Sequence, residues 1–149
     1  MLAAVKSGKV AAYATDFPAP EMIGVENIIA VPHLGASTPE SEDNCARMAA
    51  DELKDYLENG NICNSVNMPA VSMPRESSER ICILHRNVPN TISKFSGKVA
   101  SLGINIENMQ SKSRKDYAYT ILDVTGVVTQ QAVEELSSLE EVIRARVIR

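Results

Sequence analysis

The sequence contains no tryptophan, and aromatic residues make up only 4% of its 149 residues. A core therefore has to be built mainly from Ile, Val, Leu, Ala and Met, which a hydrophobic content of 44% permits. No apolar run approaches the ~20 residues that a membrane-spanning helix needs. The first apolar stretches are interrupted by Lys6 and Lys9, unlike a secretory signal. These absences predict a cytoplasmic globular protein with no membrane partner.

Cysteine is scarce as well, with Cys45, Cys63 and Cys82 far apart in the chain. No Cys-x-x-Cys pair occurs, and neither histidine, His33 or His85, has a metal-ligand spacing from a cysteine. The sequence therefore predicts free thiols in a reducing compartment and no metal site.

Phosphate-binding loops and strongly basic segments are also missing. Neither Gly-x-Gly-x-x-Gly nor Gly-x-x-x-x-Gly-Lys-Ser/Thr is present. The net charge is −4, with five Lys and Arg against eleven Asp and Glu in residues 1–78, and ten against eight in residues 79–149. Neither part has the basic surface expected of a nucleic-acid-binding protein. The charge difference does suggest two separate units.

The composition changes in the segment "NMPAVSMPRESSE", which has two prolines, three serines and no helical or alternating period. This is typical of a linker. We therefore predict a first region at 1–66, a linker at 67–79 and a second domain at 80–149.

The first region contains one short strand and one long helix. Ile28–Val31 reads as a buried strand closed by proline, and the helix that follows is capped by Ser37 or Thr38 and ends near Gly60. One stripe of the helix is apolar and is expected to face a core: Ala46, Ala49, Leu53 and Leu57. A strand and a helix cannot bury a two-layer core alone, so this region is predicted to be an α/β remnant of a larger unit.

The second region alternates strand and helix patterns throughout. A strand "RICILH" precedes a helix "PNTISKFSGKVASLG", and two strands, "INIENMQSKS" and "DYAYTILDVTG", follow. A helix capped by Thr129 and a last strand "EVIRARVIR" complete the order β-α-β-β-α-β. This order predicts an α+β ferredoxin-like domain.

His33 lies in "VPHLGAST", where the predicted strand gives way to the helix. Ligands of open α/β sheets bind beyond the carboxyl ends of the strands, and histidine can transfer protons near neutral pH. A capping or packing role is the alternative, and position alone leaves both open.

The segment around His33, "TDFPAPEMIGVENIIAVPHLGAST", resembles the end of the catalytic region of NAD-dependent D-2-hydroxyacid dehydrogenases. Within that family it is most similar to the branch that opens serine biosynthesis. "PHLGAST" matches the family's Pro-His-x-Gly-x-Ser/Thr stretch, and "NSVNMP" matches the segment leading into its regulatory tail. "RICILHRNVPNTISKFSGKVASLGINIENMQ" resembles the small-molecule-binding ACT domain that ends many of these enzymes.

The resemblance implies roles for three residues of the first region. His33 would be the acid/base that exchanges a proton with the substrate 2-hydroxyl, and Asp16 would lie close to the nicotinamide of NAD. Glu21 matches, only with a gap, a family glutamate that hydrogen-bonds to the histidine and supports its protonated form. The family's substrate-binding arginine and glycine fingerprint would lie upstream of Met1. The chain alone is therefore predicted to be inactive.

The resemblance also implies an effector site in the ACT-like domain. His85 and Asn87 would bind an effector amino acid, which is serine in the serine-inhibited members of the family. Asn105 of a second copy would complete the site in a homodimer or larger homo-oligomer. Asn90 stands where the family usually has glycine. The alternatives are a polar loop without a ligand, and a stand-alone ACT-type module that binds or assembles without catalysis.

An RNA-binding domain is an alternative from a different functional class, because the segment "KDYAYTIL" resembles the third strand of RNA-recognition motifs. Tyr117 and Tyr119 would then stack on bases. Asp116 replaces the usual glycine, however, and Cys82 stands where the first strand should have an aromatic residue. We therefore expect no nucleic-acid partner, and we expect the tyrosines to pack against a sheet face or a subunit interface.

Overall fold

A computed structural model describes residues 1–149, which fall into two compact units, Met1–Met48 and Ala49–Arg149. The division lies inside the long helix α2 (Pro39–Asn59) and so differs from the predicted boundary at residue 66. Its physical reason is that the second half of α2 packs with the residues that follow it. No helix is both long and apolar enough to cross a membrane.

The first unit begins with α1 (Leu2–Lys6) and β1 (Tyr13–Thr15), neither of which the sequence patterns indicated. A 3-10 turn follows at Pro20–Met22, and β2 (Ile28–Ala30) confirms the predicted strand. β1 and β2 pair in parallel. Val5 is the only fully buried side chain of this unit, so its two-stranded sheet has almost no core of its own.

Helix α2 has the predicted ends but not the predicted buried face. The Thr38 hydroxyl accepts a hydrogen bond from the Ser41 amide at 3.2 Å, as an N-cap does, and Gly60 follows the last turn with φ +77°. The expectation that an apolar stripe faces the core was wrong, because all of its members are exposed: Ala46, Ala49, Leu53 and Leu57. The helix instead turns Tyr56 and half-buried polar residues toward the second unit's core.

The second unit contains the predicted β-α-β-β-α-β order, which is confirmed. Its elements are β3 (Glu79–Arg86), α3 (Thr91–Ser101), β4 (Asn105–Arg114), β5 (Tyr117–Thr125), α4 (Gln130–Ser137) and β6 (Val142–Ile148). The four strands form one antiparallel sheet in the order β4-β5-β3-β6. This is the strand order of the ferredoxin-like fold. Thr129 caps α4 as predicted, accepting from the Ala132 amide at 3.2 Å.

One face of the sheet, here called the inner face, is covered by α3 and α4. Side chains alternate along a strand, so β3 sends Ile81 and Ile83 to this face and its intervening residues to the other. The inner-face core is completed by apolar residues of both helices, of the neighbouring strands and of two loops: Phe95, Val99, Ile104, Leu122, Val124, Val128, Ala132, Leu136 and Val142.

The opposite, outer face is covered by the end of α2 and by the segment predicted to be a linker. Within residues 67–79, Val71 is fully buried and Met73 nearly so, and Val71 pairs with Ile62 through two backbone hydrogen bonds. The linker prediction therefore differs from the structure. The physical reason is the outer face itself, whose apolar side chains need a cover: Cys82, Tyr119, Ile121 and Ile148.

The end of α2 and residues 61–78 together form what is here called the outer layer. A buried ion pair fixes this outer layer to the sheet. The Arg80 guanidinium donates to both carboxylate oxygens of Asp123, at 2.6 and 2.9 Å, and both side chains are fully buried. Its remaining N–H groups donate to the carbonyl oxygens of Asn59, Met73 and Pro74. Burial alone would raise the pKa of the Asp123 carboxyl, but the hydrogen bonds and charge of Arg80 outweigh burial and lower it.

Candidate functional site

In the first unit, the structure brings together two residues that the sequence analysis singled out. Asp16 follows β1 and His33 follows β2, and the carboxyl ends of parallel strands meet at one edge of a sheet. The His33 Nδ1 lies 2.7 Å from the Asp16 Oδ2, and the ring centroids of His33 and Phe17 are 4.4 Å apart. A carboxylate only accepts, so Nδ1 donates and Nε2 is left for another partner.

Glu21, the expected partner of His33, lies in the 3-10 turn and makes no side-chain hydrogen bond. The histidine's carboxylate partner is Asp16, to which the sequence analysis gave a cofactor-binding role. A signal for this pairing was present in the sequence. Asp16 directly follows the short apolar run "VAAYAT", and His33 follows the run "IIAV" after one proline. The run was not recognised as a strand.

The residues of this chain do not form a dinucleotide site. β1 leads into Asp16-Phe17-Pro18 and the connection to β2 contains a 3-10 turn, so no glycine-rich turn opens a helix behind a strand. No step through NAD is therefore derived from this structure. What the first unit offers chemically is one His–carboxylate pair on the surface, with the two side chains 56% and 48% exposed.

In the second unit, His85 is buried on the inner face rather than presented to solvent. Its Nδ1 lies 3.0 Å from the Arg86 carbonyl oxygen, and its Nε2 lies 2.9 Å from the Thr120 hydroxyl. Since a carbonyl only accepts, Nδ1 donates and Nε2 accepts from Thr120. Thr120 in turn lies 2.7 Å from the Ser111 hydroxyl, so three strands share one hydrogen-bonded chain. The sequence analysis missed Thr120 and Ser111, which a two-residue period on β4 and β5 would have placed on the His85 face.

Asn87 lies just beyond β3 in an exposed loop. Its backbone amide donates to the Asp116 carbonyl oxygen at 2.8 Å, and its side-chain Nδ2 donates to the Lys115 carbonyl oxygen at 2.9 Å. Asn90 has φ +73°, the left-handed conformation that the glycine of the family would also permit. The loop is therefore fastened to the β4–β5 turn and leads directly into α3.

Asn105 lies at the opposite end of the sheet from Asn87. Along β5, Arg86 pairs with Tyr117 and Asn105 pairs with Thr125. These β5 positions are eight residues apart, which corresponds to about 27 Å at ~3.4 Å per residue. Asn105 is exposed, and its Nδ2 donates to the Glu107 carboxylate at 2.8 Å. One chain therefore does not bring the predicted effector residues together.

Topology and site geometry first define a class: an α+β ferredoxin-like domain with an exposed asparagine at each end of its sheet. The sequence comparisons then show which proteins the chain is similar to. The chain is 31% identical to D-3-phosphoglycerate dehydrogenase of Haemophilus influenzae over 97% of its length and 38% of that protein. It is 28% identical to the Escherichia coli enzyme over 83% of the chain, and 33% identical to D-3-phosphoglycerate dehydrogenase 2 of Saccharomyces cerevisiae over 72%.

Solved structures also match parts of the chain. The ACT domain of GTP pyrophosphokinase from Chlorobium tepidum matches with a TM-score of 0.42 and 12% identity, over 47% of this chain and 95% of that one. The regulatory subunit of aspartate kinase from Thermus thermophilus matches with a TM-score of 0.42 and 18% identity, over 55% and 56%. No protein-family model matches the chain.

The resemblance seen in the sequence is thus confirmed, because most of the chain is similar to a segment of comparable length in D-3-phosphoglycerate dehydrogenases. The second unit has the α+β fold expected of their ACT-type domain. The chain spans 30% of the Escherichia coli relative, 38% of the Haemophilus influenzae relative and 24% of the yeast relative. Activity and ligands of the longer proteins are therefore matters for proposal.

Proposed function

We propose that this chain is part of an NAD-dependent D-3-phosphoglycerate dehydrogenase of serine biosynthesis, and that its second unit binds serine between two copies. The similarity to D-3-phosphoglycerate dehydrogenases supports the first part of the proposal. The observation that supports a site shared between copies is the placement of Asn87 and Asn105 at opposite ends of one sheet. A free amino acid is far shorter than the ~27 Å between them along β5. The two asparagines can contact one ligand only if they come from different copies.

A two-fold dimer meets this requirement. In a two-fold dimer, if the Asn87 end of the first sheet meets the Asn105 end of the second, the symmetry also brings the Asn105 end of the first to the Asn87 end of the second. β4 is an edge strand, as is β6, so the sheet has unpaired backbone groups with which a second copy can pair. Each dimer would then hold two equivalent sites, each with Asn87 of one copy and Asn105 of the other.

Ligand contacts at the Asn87 end come from the loop and the start of α3. The first amides of α3 have no partner within the helix and favour the serine carboxylate, while the Asn87 side-chain oxygen accepts from its ammonium group. His85 has a supporting role, because both of its ring nitrogens are engaged beneath the loop. It orients the end of β3 rather than touching the ligand.

A subunit-mixing experiment tests the shared site. Asn87→Ala and Asn105→Ala each remove one half of both sites, so neither homodimer should bind serine in a calorimetric titration. When the two variants are co-refolded, about half the dimers are mixed and each mixed dimer regains one intact site, so about a quarter of the wild-type binding capacity returns. If serine binds both variants normally, or if mixing restores nothing, the shared serine site is refuted.

In the first unit, His33 is proposed to exchange a proton with the 2-hydroxyl of the substrate. Asp16 holds Nδ1, so Nε2 is the nitrogen available to a hydroxyl group. Since no dinucleotide site is present in these residues, the isolated chain should neither bind NAD in calorimetry nor oxidise 3-phosphoglycerate in an NADH absorbance assay. Turnover that vanishes in the His33→Ala variant would contradict this.

A further inference from the structure

The outer face of the sheet contains a cavity that is separate from the proposed serine site. It is bounded by the second half of α2, by residues 61–68 and by strands β3, β5 and β6, and its volume is about 450 Å³. Its walls are mostly apolar and include Leu53, Tyr56, Ile62, Met68 and Leu84. Small-molecule sites in proteins have typical volumes of about 300–1,000 Å³ and similar walls.

Two arginines of β6 give the cavity a positive charge. Arg144 and Arg146 are two residues apart on one strand, so both point to the outer face. Neither forms an ion pair with a carboxylate of the chain. Glu52 is the one acidic residue of the lining, and Asn64 Nδ2 donates to it at 2.6 Å. In a chain of net charge −4, this is a locally cationic, apolar cavity.

The two arginines are held differently. Arg146 lies over the Tyr56 ring, with its guanidinium carbon 4.0 Å from the ring centroid, and it donates to the Tyr56 carbonyl oxygen. Its Nε is buried and has no hydrogen-bond partner. Arg144 is exposed and makes no hydrogen bond, so its five N–H groups are available to a ligand at the cavity mouth.

We infer that this cavity is a binding site for a small free monocarboxylate with an apolar body. The carboxylate pairs with Arg144, with the charge of Arg146 behind it, and the apolar part lies against Leu53 and Leu84. An uncharged apolar molecule would leave both guanidinium groups unpaired, and an ammonium compound would meet two like charges. The serine effector lacks the apolar body, and its proposed contacts are not in this lining.

Cysteine labelling locates binding within the intact chain. Cys63 is exposed and lines the cavity, whereas Cys45 is exposed and lies outside it. Octanoate at concentrations below its micelle threshold is the probe. It should slow alkylation of Cys63 by iodoacetamide, followed by mass spectrometry, and leave alkylation of Cys45 unchanged. Equal effects on the two cysteines, or no effect on either, overturn the proposal.

Charge selectivity is the second test. Octanoate should bind in calorimetry about tenfold more tightly than octanol, as a charge-assisted hydrogen bond allows, and octylamine should not bind measurably. Arg144→Gln should abolish the preference for octanoate over octanol, and the matched exposed variant Arg47→Gln should retain it. Both substitutions are at exposed positions, so both chains should fold. Equal affinity for octanoate and octanol in the unmodified chain refutes the site.

Discussion

Replacing Arg80 by methionine should release the outer layer from the sheet. All five N–H groups of its guanidinium are used, two by Asp123 and three by the backbone carbonyls of Asn59, Met73 and Pro74. Breaking a buried ion pair by removing one partner costs about 3–5 kcal/mol, because the other charge stays buried without compensation. We expect a loss of that size in the free energy of unfolding of the second unit.

Hydrogen exchange is the appropriate assay, because the chain has two compact units and one melting curve would average them. The slowest amides of β3 and β5 report global unfolding of the sheet, and those of Ile62 and Val71 report opening of the outer layer. In Arg80→Met, the amides of Ile62 and Val71 should lose at least as much protection from exchange as the slowest amides of β3 and β5.

Arg75→Met is the matched control for Arg80→Met. The Arg75 guanidinium also donates to backbone carbonyls, those of Glu58, Ser77 and Ser78, but it has no buried carboxylate partner. Its loss should cost no more than about 1–2 kcal/mol. The double variant Arg80→Met/Asp123→Leu should recover much of the single variant's loss, because no charge is left buried. If Arg80→Met is no worse than Arg75→Met, the anchoring role assigned to the ion pair is refuted.

Three further predictions concern the same unit. Arg80 lowers the pKa of Asp123 in the folded chain, so this carboxylate contributes stability at pH values above its unfolded pKa of about 4, and the contribution is lost as the pH falls below that value. Asp123→Asn should therefore flatten the acid side of a urea-unfolding series below about pH 4. Gly60→Ala should lower the free energy of unfolding measured in urea by about 2–4 kcal/mol, because φ at this position is +77° and the new Cβ would lie 2.3 Å from Cys82 Sγ. The control Gly97→Ala in helix α3 adds a Cβ with nothing within 4 Å and should raise it by about 0.5–1 kcal/mol. Equal effects of the two substitutions would contradict the packing described. Burial raises the pKa of the Cys82 thiol, so native-state alkylation should modify Cys45 and Cys63 first, and early labelling of Cys82 would show that the outer layer opens readily.

The second unit could be predicted closely because its signals are local. Alternation marks the strands, a 3.6-residue period marks α3 and α4, and Thr129 caps α4 as its residue type suggests. Asn90 at φ +73° is likewise a property of one residue in one loop. Each of these features is decided by interactions between residues close in sequence.

The outer layer could not be predicted in this way. Residues 67–79 have the composition of a linker, and their burial depends on the apolar outer face of a sheet formed later in the chain. Val71 and Met73 do alternate, but two apolar residues among prolines and serines are a weak signal. The same holds for α2, whose most apolar stripe is exposed while Tyr56 packs inward.

In the candidate sites too, the residues could be found from local sequence, but their contacts depend on pairing between strands. His33 was found from its motif, but its hydrogen bond to Asp16 depends on a parallel pair formed by β1, which is only three residues long. The burial of His85 beneath the loop depends on Thr120 of a neighbouring strand. Sequence motifs thus identified residue types, and strand pairing decided which atoms of these residues remain free.

The asparagine pair shows why topology carries the functional argument. Asn87 precedes α3 and Asn105 follows it, so the two are close in sequence. A crossover helix returns the chain along the sheet, and eleven residues of α3 cover about 16 Å at ~1.5 Å per residue. Residues that flank such a helix must therefore lie at opposite ends of the sheet in every chain of this fold. In the proposed dimer, a ligand can contact both asparagines only where one end of the first sheet meets the opposite end of the second. The proposal therefore predicts that effector binding and dimer formation are linked equilibria.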